Sequence, residues 1–412
     1  MLTLAFLLPF LIGFTIASIC FKRKGVGVGI LKCSLGIGLG IGICSLLYFL
    51  LRPINPSSWV IVIVELVILL SAIIIFYLSK DLKARFFYRG IDDWSRMFST
   101  IIEKSHPDYP LLLPSFIART WLYLQHETLY VPICVAGLFA LAIVGLLTVS
   151  ITLLRDKMQG YLAGLFLLST PFFIVLAATQ YADVPLSFFI LSVTVLLTFA
   201  EQSDEGSKSL YMLAGIMGGL AAWTKNEGLL FVVAAVSSRM IVVAYMGGWK
   251  KEGKRINYFI VGLVPVLFVL IYFKLHFAPV NDLVGGQSLS TFQKLTSPHR
   301  YLQVIHGFMI KSMSFGRWIG SPAILLIVYA LLFGAHSGHA KSGIANALAI
   351  AITLLGYSFV YIVTPYDLTW HINTSIDRLL FQLFPSMLFS YFMAIASPTY
   401  GLAIKEENPV LQ

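Results

Sequence analysis

The sequence predicts an all-α, polytopic membrane protein with about twelve membrane-spanning helices. Of its 412 residues, 58% are hydrophobic and only 12% are charged. That composition leaves too few polar side chains to cover the surface of a soluble globule of this length. In addition, roughly twelve apolar runs approach or exceed the ~18 residues that a helix needs to cross the hydrocarbon core of a bilayer.

The predicted spans follow one another closely, and only two long loops interrupt them. Several spans are short enough to be tilted, broken or partly embedded. They cover residues 3–21, 30–51, 58–79, 130–154, 160–178, 184–200, 209–224, 228–246, 257–275, 321–335, 343–364 and 379–397. The chain is therefore predicted to have N-terminal spans (1–79), an outer loop (80–129), a transmembrane core (130–397) with a second outer loop (276–320), and a cytoplasmic tail (398–412).

The basic residues predict the orientation of these spans. The net charge is +10, and most lysines and arginines lie in short clusters between spans, where they set topology and meet anionic headgroups. Nucleic-acid binding is therefore not expected. If the spans alternate, the clusters at Arg155–Lys157, Lys208, Lys250–Arg255, Lys341 and Lys405 share one face. The positive-inside rule makes that face cytoplasmic and turns both long loops outward.

The N-terminal region departs from this scheme. Lys22, Arg23 and Lys24 would face outward if all three N-terminal spans crossed the membrane. Either one early span is not a full crossing, or the later helices override it. No basic region precedes the first apolar run, so the prediction is a retained helix and not a signal peptide. The four cysteines show no CxxC spacing and predict neither disulfides nor a metal site.

Both long loops contain amphipathic stretches. Apolar residues recur at helical spacing in Asp92–Ser105 and in Tyr301–Met309. Helices of this kind lie in the membrane interface. The pattern fits equally a scaffold cap and a lid over a lipid-borne substrate.

The first outer loop carries the segment HPDYPLLLP at 106–114. Prolines at 107, 110 and 114 predict a stiff, extended loop that carries His106 and Asp108. As an isolated pattern, such a segment is more often a structural turn than a site. Together with Asp92 and Asp93 it could ligate a divalent cation, although the spacing matches no known metal motif.

Charged residues also mark the ends of three predicted spans. Asp183, two residues before Pro185, suits either a helix cap or a functional carboxylate. Lys225 and Glu227 lie in a very short turn, where they form either a local ion pair or a phosphate site at headgroup depth. If spans 184–200 and 209–224 are antiparallel neighbours, all three residues emerge on one face.

The last polar stretch, 366–380, is predicted to reach the same face. Arg378, at the start of the final span, has the forked geometry that suits a phosphate. The adjacent Asp377 could instead be a helix cap, and a lone His371 is more often structural than a base. The convergence of four such segments on one predicted face favours a functional site there.

Together, HPDYPLLLP, QYADVPL, GLAAWTKNEGLLF and WHINTSIDRLLFQLFP resemble the GT-C superfamily of integral-membrane glycosyltransferases. The resemblance covers roughly residues 80–395 and lies in the bacterial branch similar to protein mannosyltransferases and lipopolysaccharide glycosyltransferases. It implies a substrate cavity at the non-cytoplasmic face of a bacterial inner or plasma membrane. The implied reaction moves a sugar from a polyprenyl-phosphate carrier to a glycan, lipid or protein acceptor and inverts the anomeric centre.

The resemblance also implies roles for the acidic residues. The general base of the family is an acidic residue in the first outer loop, which gives Asp81, Asp92 or Asp93 here, with Asp93 favoured because it opens the amphipathic stretch. Related sequences carry an acidic residue shortly before the LysAlaArg segment, whereas this chain has the apolar run 71–78 there. Asp183 matches the second acidic position of the family, which orients substrate or a metal.

The remaining matches concern the substrate. Lys225 and Arg378 match positions suited to the carrier phosphate, and His371 is expected to contact acceptor or phosphate. The other predicted substrate-binding residues are His106, Asp108, Glu227 and Asp377. A divalent metal is the only candidate cofactor.

Two alternatives remain open at this point. A transporter or flippase of lipid-linked saccharides would place polar residues at mid-span and pair broken helices in two halves of the chain. Here the polar residues collect at helix ends. A non-catalytic homologue of the same superfamily is the other alternative, because of the apolar run 71–78.

Overall fold

The computed structural model describes residues 2–20, 26–51, 82–90, 94–99, 106–202, 207–281, 289–318, 320–336 and 340–398. Within these ranges the chain is helical, and the only β-type pairing is an isolated bridge between Ala335 and Ile395. The predicted all-α class is confirmed for this part of the chain. The predicted span 58–79 and most of the tail fall outside the described residues.

Each predicted span within the described residues overlaps one or two helices, and four further helices lie in the predicted long loops. They are α1 (Leu2–Cys20), α2 (Val26–Leu51), α3 (Leu82–Arg89), α4 (Leu112–Leu124), α5 (Tyr130–Leu154), α6 (Lys157–Leu168), α7 (Pro171–Ala178), α8 (Asp183–Gln202), α9 (Ser207–Thr224), α10 (Asn226–Met246), α11 (Trp249–His276), α12 (Leu289–Leu295), α13 (Pro298–Met313), α14 (Pro322–Phe333), α15 (Ala340–Val363) and α16 (Leu368–Ala394). Short 3-10 helices occupy Trp94–Phe98 and Phe315–Arg317.

Six of the described helices are long and apolar enough to cross a membrane: α2, α5, α8, α10, α11 and α15. Two bent pairs, α6 with α7 and α13 with α14, raise the number to eight if each pair counts as one span. The α6–α7 pair bends by 64° just before Pro171, which opens α7. The predicted number of about twelve spans is not confirmed.

Helix α8 is the central helix of the bundle. Every residue from Asp183 to Ala200 is buried, because α8 is apolar on all sides and packs against α5, α9 and α16. Its few polar side chains bond within the bundle: the Ser192 and Thr198 hydroxyls each donate to the carbonyl four residues earlier. The helix thus carries Asp183 into the interior at one end.

Glycines allow the closest helix contacts. A Cβ at Gly215 in α9 would overlap the Phe259 carbonyl oxygen in α11, and one at Gly262 in α11 would overlap the Met212 carbonyl oxygen in α9. Small residues let backbones approach in this way when water supplies no driving force between helices. The α9–α11 contact joins the two helices near whose ends Asn226, two residues after α9, accepts from Lys274 of α11 at 2.9 Å.

Two predictions near the site were wrong. The predicted span 379–397 starts too late, because α16 begins at Leu368 and is capped by Asp367, which accepts from the Trp370 backbone N–H at 2.7 Å. Asp377 is therefore not a cap, and Arg378 lies well inside the helix. A search for apolar runs misses this part of α16, where only every fourth residue, such as Ile372 and Ile376, is a buried aliphatic.

The prediction made from the prolines at 107, 110 and 114 was also partly wrong. Pro114 was predicted to prolong the extended loop, yet it is the third residue of α4. Proline is tolerated in the first turn of a helix, where its missing N–H has no intrahelical partner. The loop therefore ends before Leu112, and it is not extended throughout, because residues 107–109 form a turn in which the Tyr109 N–H donates to the His106 carbonyl at 3.0 Å.

The two amphipathic stretches had different outcomes. Tyr301–Met309 lies within α13, which packs on α16 through Gly307 and rests Phe308 on Tyr361 with ring centroids 5.8 Å apart. In the other stretch, the described part is the 3-10 helix Trp94–Phe98. Asp92 and Asp93 lie outside the described residues.

Replacing Gly215 with leucine should destabilise the protein, because the side chain must displace the α11 backbone. Overpacking of this kind costs about 1–3 kcal/mol, so the thermal unfolding midpoint in detergent should fall by several degrees. Gly137 in α5 is the control, since an added Cβ there meets nothing within 4 Å. Equal midpoints for Gly215→Leu and Gly137→Leu would contradict the observed α9–α11 contact.

Candidate functional site

The carboxylate of Asp183 is the centre of a buried charge cluster. Its Oδ1 accepts from Lys225 Nζ at 3.2 Å and from Gln382 Nε2 at 2.7 Å, and its Oδ2 accepts from Arg378 Nε at 2.8 Å. A second guanidinium nitrogen, Nη2, also lies 2.8 Å from Oδ2. Residues far apart in sequence thus share one carboxylate that is completely buried.

The local sequence explains why these groups meet. Asp183 opens α8, and Lys225 stands between the last residue of α9 and the first of α10. The start of α8 and the end of α9 therefore lie together, as expected for antiparallel neighbours. Arg378 and Gln382 are four residues apart on α16, so both side chains project from the same face toward Asp183.

Lys225 joins the two carboxylates of the cluster. Its ammonium lies 2.6 Å from Glu227 Oε1 in addition to its contact with Asp183, and it lies over the Tyr109 ring, 5.7 Å from the centroid. Burial disfavours the charged ammonium, but the two carboxylates outweigh burial and hold the pKa of Lys225 above its usual value. The lysine is therefore a fixed cation at neutral pH.

Arg378 is the accessible cation of the cluster. Its side chain is 35% exposed, whereas that of Lys225 is 5% exposed. Its guanidinium carbon lies 4.4 Å from the centroid of the Tyr181 ring. Because a guanidinium carries five N–H donors in a rigid fork, Arg378 has donors left for a ligand after bonding Asp183.

Asp108 anchors the loop that precedes α4 beside this cluster. Its buried Oδ2 accepts from the amides of Asn226 at 3.1 Å and Asn281 at 2.6 Å. Lys274 Nζ donates to the Asp108 carbonyl at 2.6 Å and to Asn226 Oδ1 at 2.9 Å. These bonds tie the loop to the start of α10 and the end of α11, and they place Tyr109 next to Lys225.

His106 lies at the edge of the same loop. Its side chain is exposed and stacks on Tyr109 with ring centroids 4.9 Å apart. Its backbone adopts a positive φ of 51°, and its carbonyl accepts from Lys83 Nζ at 2.6 Å. His106 thus supports Tyr109 from the outside.

His371 and Asp377 have partners of their own. The His371 ring is hydrogen-bonded to the Thr364 hydroxyl at 2.9 Å and packs against Tyr361. Asp377 accepts from Lys311 Nζ of α13 at 2.7 Å. Within the described residues neither shares a hydrogen bond or ion pair with the Asp183 cluster, so their predicted substrate contacts stay predictions.

An apolar cavity opens beside the charged cluster. Its volume is about 380 Å³, and it lies between α4, α5, α7 and the start of α8. Its lining includes Ile117, Pro132, Leu176, Tyr181, Val184 and Pro185. Since Tyr181 also contacts Arg378, the cavity and the exposed cation share a wall.

Only some of the residues predicted as the base or as metal ligands lie in the described part of the chain. Asp81, Asp92 and Asp93 lie outside the described residues. Within those residues, no group of three or more His, Cys, Asp or Glu side chains could hold a metal ion. The metal prediction remains untested.

Sequence reasoning missed several residues of the site. Gln382 and Tyr109 contact the central charges directly, and Asn226, Lys274 and Asn281 hold Asp108. Gln382 gave a usable signal, because an amide within the apolar run LLFQLF needs a buried partner. Its Oε1 accepts from the Tyr357 hydroxyl at 2.8 Å, which leaves Nε2 for Asp183.

Comparison with known proteins bears on this site. Residues 105–273 match the family model of dolichyl-phosphate-mannose-protein mannosyltransferases, which belongs to the GT-C superfamily. The match covers Asp108, Asp183 and Lys225 and ends before Arg378. No curated protein and no solved structure matches the chain. The resemblance to GT-C enzymes is therefore confirmed over the matched segment.

Replacing Asp183 with asparagine should strongly destabilise the protein, because it leaves buried Lys225 without its central counter-charge. Breaking a buried ion pair costs about 3–5 kcal/mol. The control is Asp377→Asn, which breaks a half-exposed pair with Lys311 and should cost about 1 kcal/mol or less. Thermal unfolding in detergent compares the two variants, and equal losses would show that the Asp183 cluster is not a buried network.

Proposed function

We propose that this membrane protein transfers a sugar from a polyprenyl-phosphate carrier to a glycan, lipid or protein acceptor, with inversion at the anomeric carbon. The observation that carries the proposal is the joining of Lys225 and Arg378 at one buried carboxylate beside an apolar cavity. The matched family, whose name specifies a dolichyl-phosphate sugar, supports a lipid-linked donor.

The chemistry requires few groups. A base removes the proton of an acceptor hydroxyl while that oxygen bonds to the anomeric carbon from the face opposite the carrier. The bond between the anomeric carbon and the phosphate oxygen breaks, and the polyprenyl phosphate leaves with the electron pair. Since phosphate is a good leaving group, the protein must supply mainly a base and cations placed for the developing charge.

Arg378 and Lys225 are the proposed cations for the phosphate. Arg378 combines partial exposure with spare donors, and an arginine fork binds phosphate oxygens in pairs. Lys225 lies on the other side of the same carboxylate and adds a fixed positive charge. Preorganised cations of this kind need no rearrangement at the moment of reaction.

Asp183 is proposed to position these cations and not to accept a proton. The sequence ranked it among the catalytic candidates, but both of its oxygens accept hydrogen bonds from Lys225, Arg378 and Gln382, and it is completely buried. The Asp183 carboxylate therefore has no free lone pair that could take the proton from the hydroxyl of the sugar acceptor. The orienting role agrees with the second acidic position that the GT-C resemblance implies.

The general base is proposed to be Asp93, with Asp92 and Asp81 as the other candidates from the first loop. The described neighbours of this segment are anchored near the cluster. Trp94 packs against Phe277, just beyond the end of α11, with ring centroids 5.1 Å apart. On the other side, Lys83 bonds the carbonyl of His106. Both anchors support a first-loop carboxylate at this end of the molecule.

The apolar cavity is proposed to receive the first isoprene units of the carrier. Its wall is formed mainly by aliphatic side chains, with Thr179 and Gln180 as polar members, and it adjoins Arg378 through Tyr181. A phosphate at Arg378 would therefore have its hydrocarbon chain beside an apolar surface. The arrangement would hold the phosphate of one lipid at Arg378 and its hydrocarbon chain in the cavity.

The site is proposed to face the non-cytoplasmic side of a bacterial inner or plasma membrane. Helix α11 begins in the basic cluster at Trp249–Arg255 and ends at His276, close to Lys274 and Asp108. The basic end and the site thus lie at opposite ends of one membrane-length helix. The positive-inside rule assigns the basic end to the cytoplasm.

A transporter of lipid-linked saccharides is the second candidate function. The bend of 64° between α6 and α7 favours it, since transporters use discontinuous helices. Against it, the centre of the cluster is not at mid-span, because Asp183 opens α8 and Lys225 lies between α9 and α10. Sugar transfer by the purified protein separates the two candidates, and the same assay tests the non-catalytic alternative.

Purified protein in liposomes should transfer mannose from polyprenyl-phosphate-mannose to cell-envelope acceptors. Arg378→Gln should lower kcat/KM at least about tenfold, which corresponds to about 1.4 kcal/mol of lost transition-state stabilisation. Asp93→Asn should abolish transfer while binding of the donor persists. Lys311→Gln, which removes a cation paired with the neighbouring Asp377, is the control and should keep normal transfer.

Two results would contradict the proposed function. One is the absence of transfer by the wild-type protein with any polyprenyl-phosphate sugar. The other is full transfer by Arg378→Gln and Asp93→Asn, which would place the chemistry elsewhere.

A further inference from the structure

Glu227 has a carboxylate oxygen that the protein leaves without a partner. Its Oε1 lies 2.6 Å from Lys225 Nζ, but its Oε2 is buried and has no hydrogen-bond partner among the described residues. An unmade hydrogen bond at a buried polar atom costs about 1–3 kcal/mol, and more for a charged group. Such an atom is expected where a ligand completes the bonding.

The surroundings of Glu227 indicate what kind of ligand fits. The residue lies in the first turn of α10, and Lys225 connects it to Asp183. The negative charge of Glu227, together with burial, raises the pKa of Tyr109 above its usual value. By geometry, Glu227 contacts Lys225, and Lys225 in turn lies over the Tyr109 ring. The side chain of Glu227 is 17% exposed, so it lies at the border of the buried cluster, where a ligand can approach.

The unpartnered oxygen of Glu227 is unsuited to the phosphate of the proposed donor but suited to the hydroxyls of its sugar. A carboxylate repels a phosphate but accepts hydrogen bonds from hydroxyl groups, and charge assistance makes those bonds strong. In a polyprenyl-phosphate sugar, the group bonded to the phosphate is the sugar ring with its hydroxyls. A carboxylate next to a phosphate-binding lysine is therefore at the right place for the sugar.

We propose that Glu227 accepts a hydrogen bond from a ring hydroxyl of the donor sugar and thereby selects neutral, hydroxylated sugars. The inference rests on the proposed function, since it places the carrier phosphate at Lys225 and Arg378. A sugar that carries a carboxylate would be repelled by Glu227. A sugar without a hydroxyl next to the anomeric carbon would leave the buried oxygen unpaired, and such unpaired groups give strong discrimination.

The test compares two lipids that differ only in the sugar: polyprenyl phosphate and polyprenyl-phosphate-mannose. Binding of each to the full-length protein in detergent is measured for the wild type, Glu227→Gln and Glu227→Ala. We expect Glu227→Ala to weaken binding of the mannose lipid at least about tenfold, or about 1.4 kcal/mol. Glu227→Gln keeps one acceptor oxygen and should weaken it less. Binding of the bare phosphate lipid should stay within about threefold.

Glu201 provides a matched control. It is also a largely buried glutamate, paired with Arg239 at 2.8 Å, whose Oε2 has no hydrogen-bond partner in the described part of the chain. It lies near the other end of α8, about 27 Å from Asp183 along the helix axis. Glu201→Ala should change binding of neither lipid.

The outcomes separate this inference from the proposed function. If the wild-type protein binds neither lipid, the proposed function fails and the inference fails with it. If the wild type binds both lipids and Glu227→Ala weakens both equally, or weakens neither, the inference alone is overturned. A loss selective for the mannose lipid in Glu201→Ala would overturn it as well.

Discussion

The fold and the site both depend on one buried carboxylate. Asp183 starts a helix that is buried on every side, so its charge is tolerated only because Lys225, Arg378 and Gln382 donate to it. Removing any one of these charges leaves its partner charge buried without compensation, which destabilises the protein. The same bonds fix the two cations in space. Stability and the placement of positive charge thus come from the same contacts.

Much of this arrangement was visible in the sequence. Apolar runs located most of the long helices to within a few residues, because apolar length is what a bilayer demands. Helices α11 and α16 begin 8 and 11 residues before their predicted spans, where the sequence is polar. Charges beside the predicted spans identified Asp183, Lys225 and Arg378, since ionisable groups at such positions need partners. Arg378 nevertheless lies inside α16 and not at its start. The amphipathic half of α16 was missed because its aliphatic residues recur only once per turn. The tether of Asp108 to Asn226, Asn281 and Lys274 was also missed, since it joins residues up to 173 positions apart.

The four charged residues of the site differ in how far their side chains are exposed. Asp183 is fully buried, Lys225 and Glu227 are mostly buried, and Arg378 is the most exposed of the four. The buried members orient one another, and the exposed member borders the apolar cavity through Tyr181. An anionic lipid head would meet Arg378 first. The deeper charges would then act on it through the buried part of the cluster, where electrostatic effects are larger than in water.

The separation of the cluster along the chain has a consequence for biogenesis. Lys225 follows Asp183 by 42 residues, whereas Arg378 follows it by 195. At a synthesis rate of about 5–20 residues per second, Asp183 emerges roughly 10 to 40 s before Arg378. The lysine is thus the first available counter-ion during insertion, and the arginine arrives with the last helix. A chain released before α16 would leave Asp183 with only one of its two cationic partners, so the cost of burying its charge would be only partly compensated.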